Sequence, residues 1–272
     1  MPEIAEVETV RRTLKKRILN RKIIGVDIIY DGIIEGDVLE FKMNIINETI
    51  NDINRIGKWL IFSLNDYYLL SHLRMEGKYF IKKSSEEIEK HEHIIFHLDD
   101  DSDLRYHDTR KFGRMILTKK EELYNVPEIK KQGYEIIDDN LTKEYVIEKL
   151  KNKSLPIKTC LLDQTIISGL GNIYTDEVLF ASSINPLKKG KDITLNEVDK
   201  IIKNGKEIIT EAIKLGGTTI KSYTSSLGVT GMFQQKLKVH KREGEPCQKC
   251  GTKIIRIKVN GRSTYYCPNC QK

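Results

Sequence analysis

The sequence has no apolar run of about 18 residues, the length that a membrane-crossing helix needs. Its first 30 residues are rich in Glu, Lys and Arg, and they hold no apolar stretch of the kind a secretory signal carries. The expectation is a cytoplasmic protein with no membrane partner. No internal repeat and no low-complexity block interrupts the 272 residues. That leaves an ordinary globular chain, long enough for two domains and a small module. Acids are scarce at one end only. Between Lys236 and Lys272 ten Lys/Arg face two acids, Glu243 and Glu245, and this segment accounts for the net charge of +7. Such a stretch permits a polyanionic partner without proving one.

A helical pattern opens the chain, with Val7, Val10, Leu14 and Ile18 on one face and Glu3, Glu6 and Glu8 near its start. Residues 22–118 read as β-rich. Their apolar runs include Lys22–Tyr30, Trp59–Leu64, Tyr67–Leu70, Lys78–Ile81, His93–Leu98 and Arg114–Leu117. Beyond a linker at 132–141 the period changes, and Tyr145–Leu150, Ile157–Leu162, Ile173–Ala181 and Leu195–Leu215 read as helices. The expected division is 1–131, 142–235 and a basic, cysteine-bearing module at 236–272.

Only five cysteines occur, and four of them form two C-x2-C pairs: Cys247 with Cys250, and Cys267 with Cys270. Sixteen residues separate the pairs, the spacing of a four-thiolate zinc site. Each pair supplies two ligands from one tight turn, and four ligands close the tetrahedron, so the expected Zn(II) is structural. Cys160 lies on an apolar helix and reads as core. Between the pairs, Asn260-Gly261 marks a two-residue hairpin turn. Arg262 stands just past it, placed to meet a backbone phosphate. Upstream, Ser168-Gly169-Leu170-Gly171-Asn172 separates two helices. Asn172 is the expected helix cap, and the amides at that helix start are expected to suit a phosphate.

Six motifs run in series along the chain: Met1-Pro2-Glu3-Ile4-Ala5-Glu6, Arg55–Lys58, His72–Gly77, Asp108–Gly113, Gly169–Tyr174 and Gly216–Ile220. In that order, with the cysteine module after them, the chain resembles the formamidopyrimidine-DNA glycosylases over its whole length. One departure is visible: the family usually opens Pro-Glu-Leu-Pro-Glu, and position 5 here is Ala. The resemblance implies an α+β fold of two domains. An N-terminal β-sandwich with flanking helices would precede a helix–two-turns–helix domain bearing a zinc-ribbon β-hairpin. It also implies a monomer that acts on damaged double-stranded DNA, with no obligate protein partner.

The resemblance further assigns roles. Pro2, once Met1 is removed, would attack C1′ of the damaged nucleotide as a secondary amine. A terminal amine titrates near 8, so roughly a tenth is neutral at pH 7, against under ~0.1% for a lysine. Glu3 would exchange protons with the sugar oxygen, and Glu6 would support that network. Lys58 and Arg262 would grip phosphates beside the lesion, Arg262 with a part in δ-elimination. A base must leave the stack to be reached. Met75, Arg110 and Phe112 would fill the hole: Met75 as plug, Arg110 on the orphaned base, Phe112 as wedge. His91, Lys153, Lys158 and Asn172 would contact the DNA backbone, and His93 would support its strand. Residues 216–231 would close over the flipped base. Two rivals are weighed. The related endonuclease VIII type shares Pro2, Glu3 and the finger, but Met75, Arg110, Phe112 and Lys158 favour the formamidopyrimidine type. A zinc-ribbon DNA binder without activity explains the C-terminal third and leaves Pro2-Glu3 and Lys58 without a task.

Overall fold

The computed structural model describes residues 1–218 and 231–272. They fall into two compact units. Unit 1 holds residues 1–2 and 6–130 with Thr218 and Gly231; unit 2 holds 3–5, 131–217 and 232–272. Helix α1 (Ile4–Ile18) contributes to both cores. Val7, Val10, Leu14 and Ile18 lie in the core of unit 1, while Ile4 and Ala5 lie in that of unit 2.

Unit 1 continues with β1 (Ile23–Ile28), α2 (Val38–Ile45), β2 (Asp52–Ile56), β3 (Trp59–Ser63), β4 (Tyr67–His72) and β5 (Lys78–Lys83). β6 (Glu92–Leu98), β7 (Ser102–His107), β8 (Arg114–Lys119) and α3 (Pro127–Lys130) complete it. The strands form two antiparallel four-stranded sheets, ordered β1-β6-β7-β5 and β2-β3-β4-β8. Side chains of both sheets share one apolar core, which makes a sandwich. Strand β3 shows why the sequence there reads as an unbroken apolar run. Leu60 and Phe62 enter the sandwich core, while Trp59 and Ile61 pack on the other face with Leu123, Val126 and Ile129.

Besides the one-turn α3, three elements of unit 1 escape the sequence reading. Helix α2 stands within the segment read as β-rich; Asp37 caps it by accepting from the Glu40 amide, and Phe41 and Ile45 are buried. Strand β2 is too polar to read as apolar. Strand β7 hides behind charge: Arg105 and Asp103 are both fully buried and paired, and Arg105 also binds Glu92 and the carbonyls of Glu86 and Glu87. Buried charges survive because they are paired and hydrogen-bonded.

Unit 2 contains α4 (Lys143–Leu150), α5 (Ile157–Leu162), α6 (Asn172–Ala181), α7 (Leu195–Lys214), β9 (Ile255–Val259) and β10 (Arg262–Tyr266). Thr194 and Glu197 form a reciprocal capping box at the start of α7. The segment read as a linker is packed: Ile136 is buried, and its neighbours Gly133 and Tyr134 bond to Gln164 and Ser168. Cys160 is buried in this core. A second small core joins Phe180 and Val239 to Cys247, Ile254 and Cys267.

Candidate functional site

In unit 1 the strand register leaves Gly57-Lys58 as a two-residue turn between β2 and β3. Gly57 sits at φ 57°, in the left-handed region. Arg55 braces this turn by donating to the Gly57 carbonyl, at 2.8 Å, and to Glu8. Lys58 itself is buried. Burial, and then the charges of Arg74, Lys58 and Arg114, hold the His72 pKa down to about 3. His72 is therefore neutral, and its Nδ1 accepts the Arg74 amide at 2.9 Å.

That bond begins the turn that carries Met75. Arg74 takes φ 51°, and the Gly77 amide closes the turn on the Leu73 carbonyl. Met75 is half-buried. The second turn carries Arg110 and Phe112, and it is organised by Asp108. The fully buried carboxylate of Asp108 accepts the amides of Arg110, Phe112 and Gly113 at 2.8–3.0 Å. Phe112 is 52% exposed, and the Arg110 guanidinium lies 4.7 Å over its ring. The Thr109 hydroxyl donates to Glu76, joining the two turns. Both also pack on one tyrosine: a Cβ at Gly77 or Gly113 would fall 2.2 or 1.8 Å from the Tyr106 hydroxyl. Met75, Arg110 and Phe112 thus stand on two adjacent, pre-set turns.

His91 is partly exposed at φ 74°, with its ring edge-on to His93 and His107. His93 is buried, and its Nε2 donates to the Asp108 carbonyl at 2.9 Å, so it supports the second turn as well as its own strand. Glu6 is buried and accepts both the amide and the hydroxyl of Thr218. Most of the expected closing loop, 219–230, lies outside the described residues. Pro2 is buried, and its nitrogen is in an amide bond with Met1.

In unit 2 the carboxylate of Glu3 accepts three backbone amides, from Gly171, Ile173 and Tyr174, at 2.9–3.2 Å. This corrects the expected cap. Gly171, with no side-chain cap of its own, precedes α6, and Glu3 caps the helix from 168 residues away. Three amides at the positive end of a helix suit an anionic carboxylate, so these amides serve Glu3 rather than a phosphate. The close approach explains Gly171, because a Cβ there would lie 2.3 Å from the Glu3 carboxyl carbon.

One expected DNA contact is also corrected. Lys158 is fully buried, and its ammonium donates to Asp176 at 2.6 Å and to the Ser263 carbonyl at 2.9 Å. Burial pushes its pKa down, and Asp176 opposes that shift. Asn172 donates to the same Ser263 carbonyl, and its other side-chain atom is buried. Lys158, with no exposed surface, is held inside the unit, whereas Asn172 is only partly buried and carries a second N–H besides the one given to Ser263. Lys153 and Arg262 keep their heads at the surface. Lys153 has only a loose 3.8 Å ion pair with Asp163, and Arg262 is exposed directly after the Asn260-Gly261 turn. Two groups that the sequence reading passed over organise this unit, Asp176 and Glu177. Glu177 accepts the amides of Lys238, Val239 and His240, where the chain enters the finger.

The four thiols of Cys247, Cys250, Cys267 and Cys270 lie within 4.8 Å of one another. The Cys247–Cys270 and Cys250–Cys267 separations are 3.9 and 3.5 Å. A tetrahedron with Zn–S bonds of about 2.3 Å has edges near ~3.8 Å, so the set fits one structural zinc, and its closed shell leaves no position for a reacting ligand. Among the described residues no helix is long and apolar enough to cross a membrane.

Comparison with known proteins agrees across the chain. Residues 1–115 match the formamidopyrimidine-DNA glycosylase N-terminal domain, 133–224 its H2TH domain, and 244–272 the zinc finger found in FPG and IleRS. A formamidopyrimidine-DNA glycosylase of Oceanobacillus iheyensis is 45% identical, over 100% of this chain and 98% of the relative. One from Lactobacillus delbrueckii subsp. bulgaricus is 44% identical over 100% of both. Among solved structures, a Lactococcus lactis FPG variant bound to Fapy-dG-containing DNA superposes with a TM-score of 0.94, at 40% identity over 100% of both chains. The Lactococcus lactis Fpg with abasic-site DNA gives 0.93 at 40% identity over 99% of both. The chain belongs to the formamidopyrimidine-DNA glycosylase family, DNA-repair glycosylases with a zinc finger.

Proposed function

We propose that this chain is a bifunctional glycosylase and AP lyase that removes oxidised purines, 8-oxoguanine and formamidopyrimidines, from damaged duplex DNA. The observation that carries the reading is Glu3: a buried carboxylate fixed by three backbone amides and covalently next to Pro2. With Met1 removed, the neutral Pro2 nitrogen attacks C1′ and the bond to the base breaks. The Glu3 carboxylate takes the proton that the attacking Pro2 nitrogen sheds and passes it to the ring oxygen as the sugar opens, and an iminium forms at Pro2. Loss of a C2′ proton then expels the 3′ phosphate, and a second elimination expels the 5′ phosphate. Water hydrolyses the iminium and frees the amine.

Lys58, Lys153 and Arg262 hold phosphates, His91 adds a backbone contact, and Glu6 steadies the chain at Thr218. Met75, Arg110 and Phe112 occupy the gap left by the flipped base. Residues 1–131 carry the chemistry, 142–235 and 236–272 the grip on DNA, in a cytoplasmic monomer. Borohydride trapping on a lesion duplex tests the reading. Protein with a free Pro2 should cross-link, Pro2→Gly should trap less, and one added N-terminal residue should abolish trapping. Efficient trapping with a blocked N-terminus would overturn it. Faster excision of thymine glycol than of 8-oxoguanine from matched duplexes would transfer the chain to the pyrimidine-preferring type.

A further inference from the structure

The zinc holds only one end of the finger hairpin. Arg262 stands five residues before Cys267, ~17 Å along an extended strand. An isolated two-stranded hairpin is marginal in water, so the metal alone does not fix the direction of that tip. A buried network does so. Asp176, 1% exposed, uses both carboxylate oxygens: Oδ1 accepts Lys158 Nζ at 2.6 Å, and Oδ2 accepts His240 Nδ1 at 2.8 Å and the Tyr265 amide at 3.4 Å. The Ser263 carbonyl accepts Lys158 Nζ and Asn172 Nδ2, both at 2.9 Å. The His240 ring meets that of Tyr265 edge-on at 5.0 Å. Strand β10 is thus fastened at Ser263 and Tyr265, immediately behind the exposed Arg262. A buried ion pair is rarely worth more to stability than apolar residues of the same volume. What it supplies here is direction, because both Asp176 oxygens and the Ser263 carbonyl meet their donors in this placement of the strand.

We propose that Asp176, with Lys158 and His240, is a positioning network that aims Arg262 at its phosphate. This rests on the proposed role of Arg262 in δ-elimination. The test uses full-length, zinc-loaded protein on a duplex with a preformed abasic site, reading the ratio of δ- to β-elimination products alongside zinc content, Tm and borohydride trapping. Arg262→Ala sets the scale with a loss of about tenfold or more in that ratio. Asp176→Asn should approach this loss while trapping and zinc stay within about twofold of the parent. His240→Phe leaves the Lys158–Asp176 pair intact, so it folds even if Asp176→Asn does not, and should lower the ratio about threefold. His240→Asn, whose amide can donate where Nδ1 does, should restore it. Adding His240→Phe to Arg262→Ala should change nothing further. An unchanged ratio in folded His240→Phe, with Arg262→Ala still defective, would overturn the network proposal alone. An unchanged ratio in Arg262→Ala would remove the role of Arg262, and the proposal with it.

Discussion

Unit 1 keeps its apolar core continuous across two sheets and places its buried polar groups beside turns, which Asp108, neutral His72 and Arg105 shape. Unit 2 places buried charge between elements. Glu3 caps a helix, Glu177 caps the entry to the finger, and Asp176 fastens a strand. The difference teaches two ways of holding a functional side chain. In unit 1 a nearby acid or imidazole folds the local backbone beneath it. In unit 2 a distant charged group locks whole elements together, so a single substitution reaches farther.

The largest test of that contrast is the metal. A structural zinc contributes on the order of 10–16 kcal/mol to a finger's fold. Chelation should therefore abolish amide protection in β9 and β10, yet leave the fluorescence of Trp59, the chain's single tryptophan and a core residue of unit 1, unchanged. Loss of the Trp59 signal together with the metal would break the contrast.

Next in size is Asp108→Ala. It leaves three amides without their acceptor, and a buried donor so exposed costs about 1–3 kcal/mol. Denaturation followed at Trp59 should show a loss of roughly 2–4 kcal/mol, and excision should depend less on the base opposite the lesion. A shift under ~0.5 kcal/mol, the scale of an ordinary surface substitution, would place Asp108 outside the architecture of the turn.

An effect that is smaller per pH unit, though cumulative, follows from acidification. Folding holds His72 at about 3 through burial and the neighbouring cations, against ~6.5 when unfolded. Between those values the unfolded chain binds the extra proton, so unit 1 loses stability as pH falls, by up to ~1.4 kcal/mol per pH unit. Glu8 extends the loss further down. Burial raises its pKa, but hydrogen bonds from Arg11 and Arg12 outweigh that and bring it to about 2, so its contribution fades between ~4.5 and about 2. His72→Gln should flatten only the upper part of the Trp59-monitored profile. An unaltered profile would mean that His72 does not titrate in this way.

The smallest effect is expected at Lys153, which is half-exposed and loosely paired. Lys153→Ala should lower the log–log salt slope of DNA binding by about 0.9 and move Tm little. Lys158→Ala, its fully buried neighbour in sequence, should show the reverse: loss of unit 2 stability from an uncompensated Asp176, with the salt slope retained. Equal salt slopes for Lys153→Ala and the parent would remove Lys153 from the phosphate contacts.

What the sequence determined by itself was whatever its own spacing encodes. The C-x2-C pairs, the Asn260-Gly261 turn, the helical period of α7 and the apolar runs of β3 and β6 follow from ligand geometry, turn chemistry and side-chain periodicity, all local along the chain. Met75, Arg110 and Phe112 were singled out by the family resemblance, and the folded chain sets them on turns. Tertiary structure decided the rest. Asp108 lay inside a visible motif, but that its carboxylate gathers three amides is a fact of folding. Strand β7 was illegible because Asp103 and Arg105 look like surface residues until each finds its partner. Glu3 took the place of Asn172 as the cap of α6, and Lys158 turned inward to Asp176. A buried charge is stable only beside its counter-charge or donor. Where that partner lies 18 or 168 residues away, only the folded chain names it.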